Sequence, residues 1–536
     1  MSVPETGLVS LIGAGPGDPS LLTVRGHQCL VNADVVVYDH RIDQRLLNLI
    51  GADAETFAVG QRSQNATDES AVCLLLAEKA RAGKKVARLK LGDPFIFGSG
   101  SKEALFLHEQ GLEFEIVPGV PSSIGSAAYA GIPASQPETG SILTVVQGHE
   151  PDSEELSQNA LEHLAKLEGT IVSYGTGVQL STLATALQRH GRPSTEPTVL
   201  IYHGTKPAQY TIETTLSEIA DFISRSDQSE TAVIVIGQAT TQRQHLRWYD
   251  VRPLFGVRIV VTRARAQAAE LVNCLKDLGA DPIEVPTIQI LPPADPTPLD
   301  DVCTRLESFD WVVLTSTNAV SYFMSHLLAG SGDVRNLKDI KLCAVGPATA
   351  ESLSQYGLKI DLIPDEHNND GVIRALRKGW NLKGSRILLP RADLAGDELP
   401  SKLRNSSAEV TTVTAYRTAE VDFTASGTPD IDRLFHERQV DIVTFTSGSS
   451  VRNFVKAIGP DKAVELLNHV AVACIGPATA KAANDLGLTT SIVPANYTIP
   501  ALVRAIVQHA VEHRNQISTQ NQSPFISDLT GKDRPK

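Results

Sequence analysis

No two of the six cysteines (Cys29, Cys73, Cys274, Cys303, Cys343 and Cys474) stand at C-x-x-C spacing. That scatter argues against a zinc site or a disulfide framework and predicts reduced, buried thiols with no bound metal. No apolar run reaches the roughly 18 residues that span a bilayer. The opening MSVPETGLVS has neither the basic nor the apolar region of a secretory leader. A cytoplasmic protein without membrane contact is expected. Positive charge is also short: 48 Lys and Arg face 61 Asp and Glu, a formal net charge of −13. The deficit sits early, with 19 basic against 29 acidic side chains in residues 1–255 and 29 against 32 in residues 256–536. Phosphate contact needs a basic face, so a nucleic-acid partner is disfavoured. An acidic small molecule would be held by local arginines against the global field.

What the chain has is length and alternation. Its 536 residues predict roughly three or four domains. Apolar β-branched runs alternate with helical patterns: ADVVVYD, KKVARLKLGD, EFEIVPG, ILTVVQG, GTIVSYG, PTVLIYHG and TAVIVIG. An α/β architecture with substantial parallel pairing follows. Within RWYDVRPLFGVRIVVTR (247–263) one pattern closes and another opens, which sets a module boundary near Gly256. Residues 515–536 are polar and aperiodic and read as a disordered tail.

The first apolar run leads into LIGAGPGDPSLLTVRG (11–26). A dinucleotide fingerprint needs G-x-G-x-x-G, but Gly13, Gly15 and Gly17 are spaced G-x-G-x-G with Pro16 between them. Proline removes a backbone donor where a pyrophosphate would want one. The residues alone leave a different ligand cradle and a plain tight turn as alternatives.

The second half repeats itself. WVVLTSTNAVSYF (311–323) is echoed by IVTFTSGSSVRNF (442–454), and CAVGPATAESLSQYGL (343–358) by ACIGPATAKAANDLGL (473–488). RIVVTRA (258–264) returns more loosely as RILLPRA (386–392). The offsets are 131 from Ser316 to Ser447, 130 from Gly346 to Gly476 and 128 from Arg263 to Arg391. Two similar α/β domains follow. Each copy ends an apolar strand in Thr-Ser and opens a helix with Gly-Pro-Ala-Thr-Ala. Those groups can present hydroxyls and N–H groups to a polyanion at the carboxyl edge of a parallel sheet. Helix capping alone would select the same hydroxyls.

On these motifs the chain resembles two enzyme families in tandem. Residues 7–255 are similar to uroporphyrinogen-III C-methyltransferases through the glycine loop, ADVVVYD, LKLGDPFIFGSG, VPGVPSSIGSAAYAGIPAS, the HGT of 203–205 and VIVIGQATTQRQHLRWYD. Residues 256–512 resemble uroporphyrinogen-III synthases through the repeated segments, DLAGDELPSKL and TVTAYRTAE. The resemblance implies a two-lobed tetrapyrrole methyltransferase fold followed by a two-domain α/β synthase. In the synthase, 256–290 and 418–514 would form one subdomain and 291–417 the other, with the substrate between them.

The first half would then take S-adenosylmethionine as methyl donor and need no metal. Pro16, Gly92, Asp93, Ile96, Ser122, Thr176 and Gly204 match cofactor-contacting positions, and Asp39 the carboxylate that assists proton removal. The second half would close hydroxymethylbilane to uroporphyrinogen III, inverting the last ring with loss of water. Tyr416 matches a tyrosine that assists the departing hydroxyl. Thr315, Ser316, Thr349, Thr446, Ser447 and Thr479 would line the substrate site, with Arg263 and Arg391 as anionic anchors. Relatives imply a homodimer through the methyltransferase half.

The first half also departs from the family pattern. Gln61 replaces a lysine, Leu91 a glycine, Pro121 a threonine, Thr176 a methionine and Ser99 an arginine, while Ser135-Gln136-Pro137 replaces Thr-His-Arg. Methionine is scarce throughout, at two residues, so its loss at 176 weighs least. An active methyltransferase, a non-catalytic binding or dimerisation module, and a methyltransferase for another tetrapyrrole all accommodate these changes.

Overall fold

The structure, a computed structural model, describes residues 6–51, 53–60, 69–135, 141–148, 156–225, 228–330, 332–421, 431–437 and 439–520. Contacts divide the chain into two compact units: Met1–Val257 with Leu275–Asp281 and His509–Lys536, and Arg258–Cys274 with Pro282–Gln508.

The first unit opens with β1 (Val9–Gly13), β2 (Val35–Asp39), β3 (Glu55–Val59), β4 (Val86–Lys90) and β5 (Phe114–Val117). They form one parallel sheet in the order β3-β2-β4-β1-β5. Its central strands β1 and β4 are buried along their whole length because both faces of the sheet are covered. Leu11, Val35 and Val37 enter one core cluster, whereas Ile12, Val36 and Leu89 enter another.

A second sheet follows, built from β6 (Leu143–Gln147), β7 (Thr170–Thr176), β8 (Pro197–Tyr202), β9 (Tyr210–Thr215) and β10 (Thr231–Ile236) in the order β6-β7-β10-β8-β9. Only β6 and β7 pair in parallel; β7–β10, β10–β8 and β8–β9 are antiparallel. The expected parallel pairing therefore holds for the first sheet and largely fails in the second. Strand direction leaves no mark on a run buried on both faces.

The second unit contains β11 (Arg258–Val261), β12 (Asp281–Glu284), β13 (Ile288–Leu291), β14 (Trp311–Leu314), β15 (Lys341–Ala344), β16 (Arg386–Ala392), β17 (Glu409–Glu420), β18 (Ile442–Phe445), β19 (Ala471–Cys474) and β20 (Thr490–Ile492). They make two sheets, β12-β11-β18-β19-β20 and β13-β17-β16-β14-β15. The chain thus leaves the first of these sheets between Glu284 and Ile288 and returns after Glu420. The sequence echo becomes a structural one: β16-β14-β15 and β11-β18-β19 are equivalent triplets of adjacent parallel strands.

The last helix, Ile499–Gln520, overruns the start expected for the tail, so residues 515–520 are helical. Pro500 sits in its first turn, where proline is tolerated, and no glycine interrupts it. Residues 521–536 lie outside the described residues. Among the described residues no helix is long and apolar enough to cross a membrane.

Cys303, Cys343 and Cys474 sit in the cores of the second unit. Burial pushes the Cys343 thiol up to about 12 and those of Cys303 and Cys474 up to about 11. The thiolate is the reactive form, so these three resist iodoacetamide in the folded chain at about pH 8. They become labelled after denaturation, and peptide mass spectrometry reads the difference.

Candidate functional site

A cavity of about 580 Å³ opens at the carboxyl ends of β1, β2 and β4, where parallel α/β sheets receive ligands. Pro16, Asp39, Gly92, Asp93, Ile96, Ser122 and Gly204 all line it. The wall from the second sheet is Tyr174, Ile201, His203, Gly204, Lys206 and Thr231–Val233.

Backbones meet directly at its floor. Gly15 N–H donates to the Gly92 carbonyl at 3.1 Å, and Gly92 N–H returns the bond at 3.0 Å. A Cβ on Gly119 would lie 2.3 Å from the Gly92 oxygen, and one on Gly204 would lie 2.1 Å from Ser126 Oγ. The glycine loop is therefore a backbone-packing device, not a ring of N–H groups around a pyrophosphate. The Asp93 carboxylate accepts from Phe95 N–H at 2.8 Å and Gly119 N–H at 3.0 Å. Its task is to hold two loops in place. Phe97, His203 and Thr205 have positive φ values of 53°, 48° and 69°, strain of the kind concentrated at ligand-binding loops.

Asp39 belongs to a buried ionic network. Arg88 Nη2 donates to Asp39 Oδ1 at 2.6 Å, and Leu91 N–H donates to Asp39 Oδ2 at 3.1 Å. Arg88 Nε and Lys90 Nζ both donate to Glu103 Oε1, at 3.1 and 2.9 Å. Lys90 also reaches Ser99 Oγ at 2.9 Å. Two cations and two carboxylates balance, and the chain runs from the cavity through buried ions and back to the cavity. Glu103 Oε2 is buried without a hydrogen-bond partner among the described residues.

A strap from the end of the unit supports the far wall. The Tyr249 hydroxyl donates to the Thr205 carbonyl at 3.2 Å, and Trp248 Nε1 to the Ala128 carbonyl at 3.0 Å. Buried Arg243 donates to the Ala130 carbonyl and pairs with Glu213 and Asp250. Trp248 and Arg243 thereby occupy carbonyls at the C-terminal end of the helix Ser122–Tyr129, whose first turns face the cavity.

Thr176 is not among the cavity-lining residues. Its hydroxyl accepts from Gln179 N–H and caps the helix Gly177–Arg189, while Tyr174, two residues back along β7, lines the cavity instead. Leu91, Ser99 and Pro121 do line it, whereas Gln61, Gln136 and Pro137 lie outside the described residues. Sequence reasoning missed Arg41, Lys90, His203 and Lys206 as lining residues and Arg88 and Glu103 behind them. One signal was available: VARLK places two basic side chains on the same face of a strand that is otherwise apolar and wholly buried.

In the second unit the serine and threonine candidates lie just past a strand end or in the first turn of the helix that follows, whereas Arg391 lies within β16 and Tyr416 within β17. Thr315 and Ser316 follow β14, and Thr446 and Ser447 follow β18. Ser316 Oγ accepts from Ala319 N–H and Ser447 Oγ from Ser450 N–H, both at 3.1 Å, so both serines are helix caps. Thr349 and Thr479 are buried in the first turns of the helices Pro347–Ser354 and Pro477–Asn484. The nearly buried Tyr416 hydroxyl lies 3.1 Å from Ser316 Oγ, with the Tyr322 ring stacked on its own. Arg263 is half-buried, burial lowers its pKa, and it makes one long bond to Gln267 at 3.4 Å. Arg391 is engaged differently from an open anchor: it donates to the carbonyls of Ala395 and Gly396 and braces its own loop.

Removing one member of a buried ion cluster leaves the others uncompensated. Glu103→Ala is expected to remove about 3–5 kcal/mol from the stability of the first unit, read as an earlier urea transition of its signal.

The two halves match separate families. Residues 8–220 match the model of tetrapyrrole (corrin/porphyrin) methylases, and residues 269–504 that of uroporphyrinogen-III synthase HemD. The porphyrin biosynthesis protein HemD of Ruminiclostridium josui is 33% identical over 509 residues, covering 94% of this chain and 98% of that protein. A uroporphyrinogen-III C-methyltransferase of Bacillus subtilis (strain 168) is 32% identical over 67% of this chain and 74% of its own length. The solved uroporphyrin III C-methyl transferase of Thermus thermophilus is 32% identical and covers 44% of this chain and 99% of that one, with a TM-score of 0.37. The chain belongs to the porphyrin biosynthesis protein HemD family, with a tetrapyrrole methylase module followed by a uroporphyrinogen-III synthase module.

Proposed function

We propose that the second unit converts hydroxymethylbilane to uroporphyrinogen III and that the first methylates this product with S-adenosylmethionine to give precorrin-2. The observation that carries the methyl-transfer reading is the single cavity that gathers Pro16, Asp39, Gly92, Ile96, Ser122 and Gly204. Its residues fit the donor: Gly92, Gly98 and Gly204 present side-chain-free backbone in the cavity wall, beside the hydroxyls of Ser122, Ser123 and Ser126 and the apolar Ile96 and Ile201. S-Adenosylmethionine bound there supplies an electrophilic methyl group. This chain's own residues align the pyrrole carbon, and alignment contributes most to such a displacement. Asp39, fixed by Arg88 and the Leu91 N–H, stands at the cavity wall to accept the proton that the methylated ring releases.

In the second unit the chain's task is to hold one conformation of a flexible, carboxylate-rich substrate while water leaves. Tyr416, paired with Ser316, donates to the departing hydroxyl. The capped helix starts and Arg263 receive the carboxylates.

A non-catalytic first unit is the second reading, and the apolar Leu91 side chain in the cavity wall favours it. Hydroxymethylbilane and labelled S-adenosylmethionine, given anaerobically to the full chain, separate the two. Labelled dimethylated product is expected. Unlabelled type III uroporphyrinogen alone would leave the synthase and retire the methyltransferase, and the type I isomer alone would overturn both. Tyr416→Phe is expected to slow type III formation roughly 10²-fold, measured against spontaneous type I closure.

A further inference from the structure

Four side chains with cationic or ionisable nitrogen line the cavity of the first unit: Arg41, Lys90, His203 and Lys206. Three are engaged. Lys90 is held by Glu103 and Ser99, His203 by Glu230 at 2.7 Å, and Lys206 lies 3.5 Å from Asp43. Arg41 differs: it is exposed to the cavity and has no ion-pair or hydrogen-bond partner among the described residues.

Its neighbours take up the local acids without it. Asp39, two residues earlier, is bound to Arg88, and Asp43, two residues later, to Arg45 at 2.9 Å. The guanidinium is therefore left as open positive charge at the mouth of a concave site, in a half of the chain that is otherwise acidic. A planar fork of donors matches a carboxylate in a bidentate way that a lone ammonium does not.

We infer that Arg41 binds a carboxylate side arm of the tetrapyrrole and sets the orientation of the ring against Asp39. This rests on the proposed substrate of the same cavity and adds the residue that recognises its acidic groups. Because Arg41 and Asp39 leave the same strand end two residues apart, anchoring one side arm fixes which ring carbon faces the methyl donor.

The test uses the full chain and needs no turnover. Uroporphyrin III, the stable oxidised form of the proposed substrate with the same carboxylates, is titrated calorimetrically into wild type, Arg41→Met and Arg41→Lys. S-Adenosylhomocysteine is titrated into each in parallel. Loss of one charge-assisted contact is expected to weaken one class of porphyrin sites about tenfold to hundredfold in Arg41→Met. Arg41→Lys should recover part of it, and S-adenosylhomocysteine affinity should stay within about twofold. Porphyrin bound by the second unit serves as an internal control, since it is the same in all three proteins. Unchanged porphyrin affinity in Arg41→Met, no porphyrin binding by wild type, or an equal loss of S-adenosylhomocysteine affinity would each overturn the inference. An Arg41-dependent porphyrin site in a chain that transfers no methyl group would keep it and defeat the methyltransferase reading instead.

Discussion

Two stretches of backbone touching at Gly15 and Gly92 hold the first unit's site together. The reciprocal bonds tie the loop after β1 to the loop after β4, and Gly119 closes on the same carbonyl with no space for a methyl group. Asp93 adds a carboxylate bridge between its own loop and Gly119. The buried Asp39–Arg88–Glu103–Lys90 network then lies directly behind these loops. Charge in such a place is costly to desolvate, and it is tolerated because each ion is paired and hydrogen-bonded. The consequence is positional: Arg88, Glu103 and Lys90 hold the cavity-lining carboxylate of Asp39 and one wall of the cavity together.

Much of this was legible in the sequence, and the failures have physical causes. The alternation of apolar runs with helices marked the α/β class, and the departure of the glycine spacing from G-x-G-x-x-G corresponds to a loop whose Gly15 is paired with Gly92. Strand direction in the second sheet was not legible, because a run such as TAVIVIG is apolar on both faces whichever way its neighbours point. The Thr176 hydroxyl caps a helix, and a threonine before an apolar helical pattern reads the same in sequence whether it caps or meets a ligand. Arg391 Nη2 donates to two carbonyls of its own loop, a contact that the sequence pattern does not show. Arg41, Lys90, His203 and Lys206 converge only through tertiary structure, from the first sheet and the loop after β8, and no local pattern brings them together.

The second unit shows how a repeat can keep geometry while its chemistry drifts. Both copies retain the three adjacent parallel strands and the serine-capped helix after the central one. Among the described residues, the cap at Ser316 has a tyrosine hydroxyl against it, whereas Ser447 meets Ser449. Equivalent arginines differ in their partners as well: Arg391 Nη2 donates to two carbonyls of its own loop, while Arg263 Nε reaches the Gln267 side chain at 3.4 Å. The same scaffold thus carries different polar groups at its two equivalent strand edges.

The inserted arrangement of the second unit also imposes an order on biosynthesis. β11 emerges early, but its partner β18 lies far along the chain: the Arg258 N–H meets the Asp441 carboxylate across 183 residues. The sheet spanning β13 to β17 is complete within its own continuous segment before β18 exists. A nascent chain therefore carries β11 and β12 with an unpaired edge throughout that interval, the state most exposed to aggregation. The sheet that joins β11 to β18 is the last to close, and its non-local pairing makes that the slow step of folding.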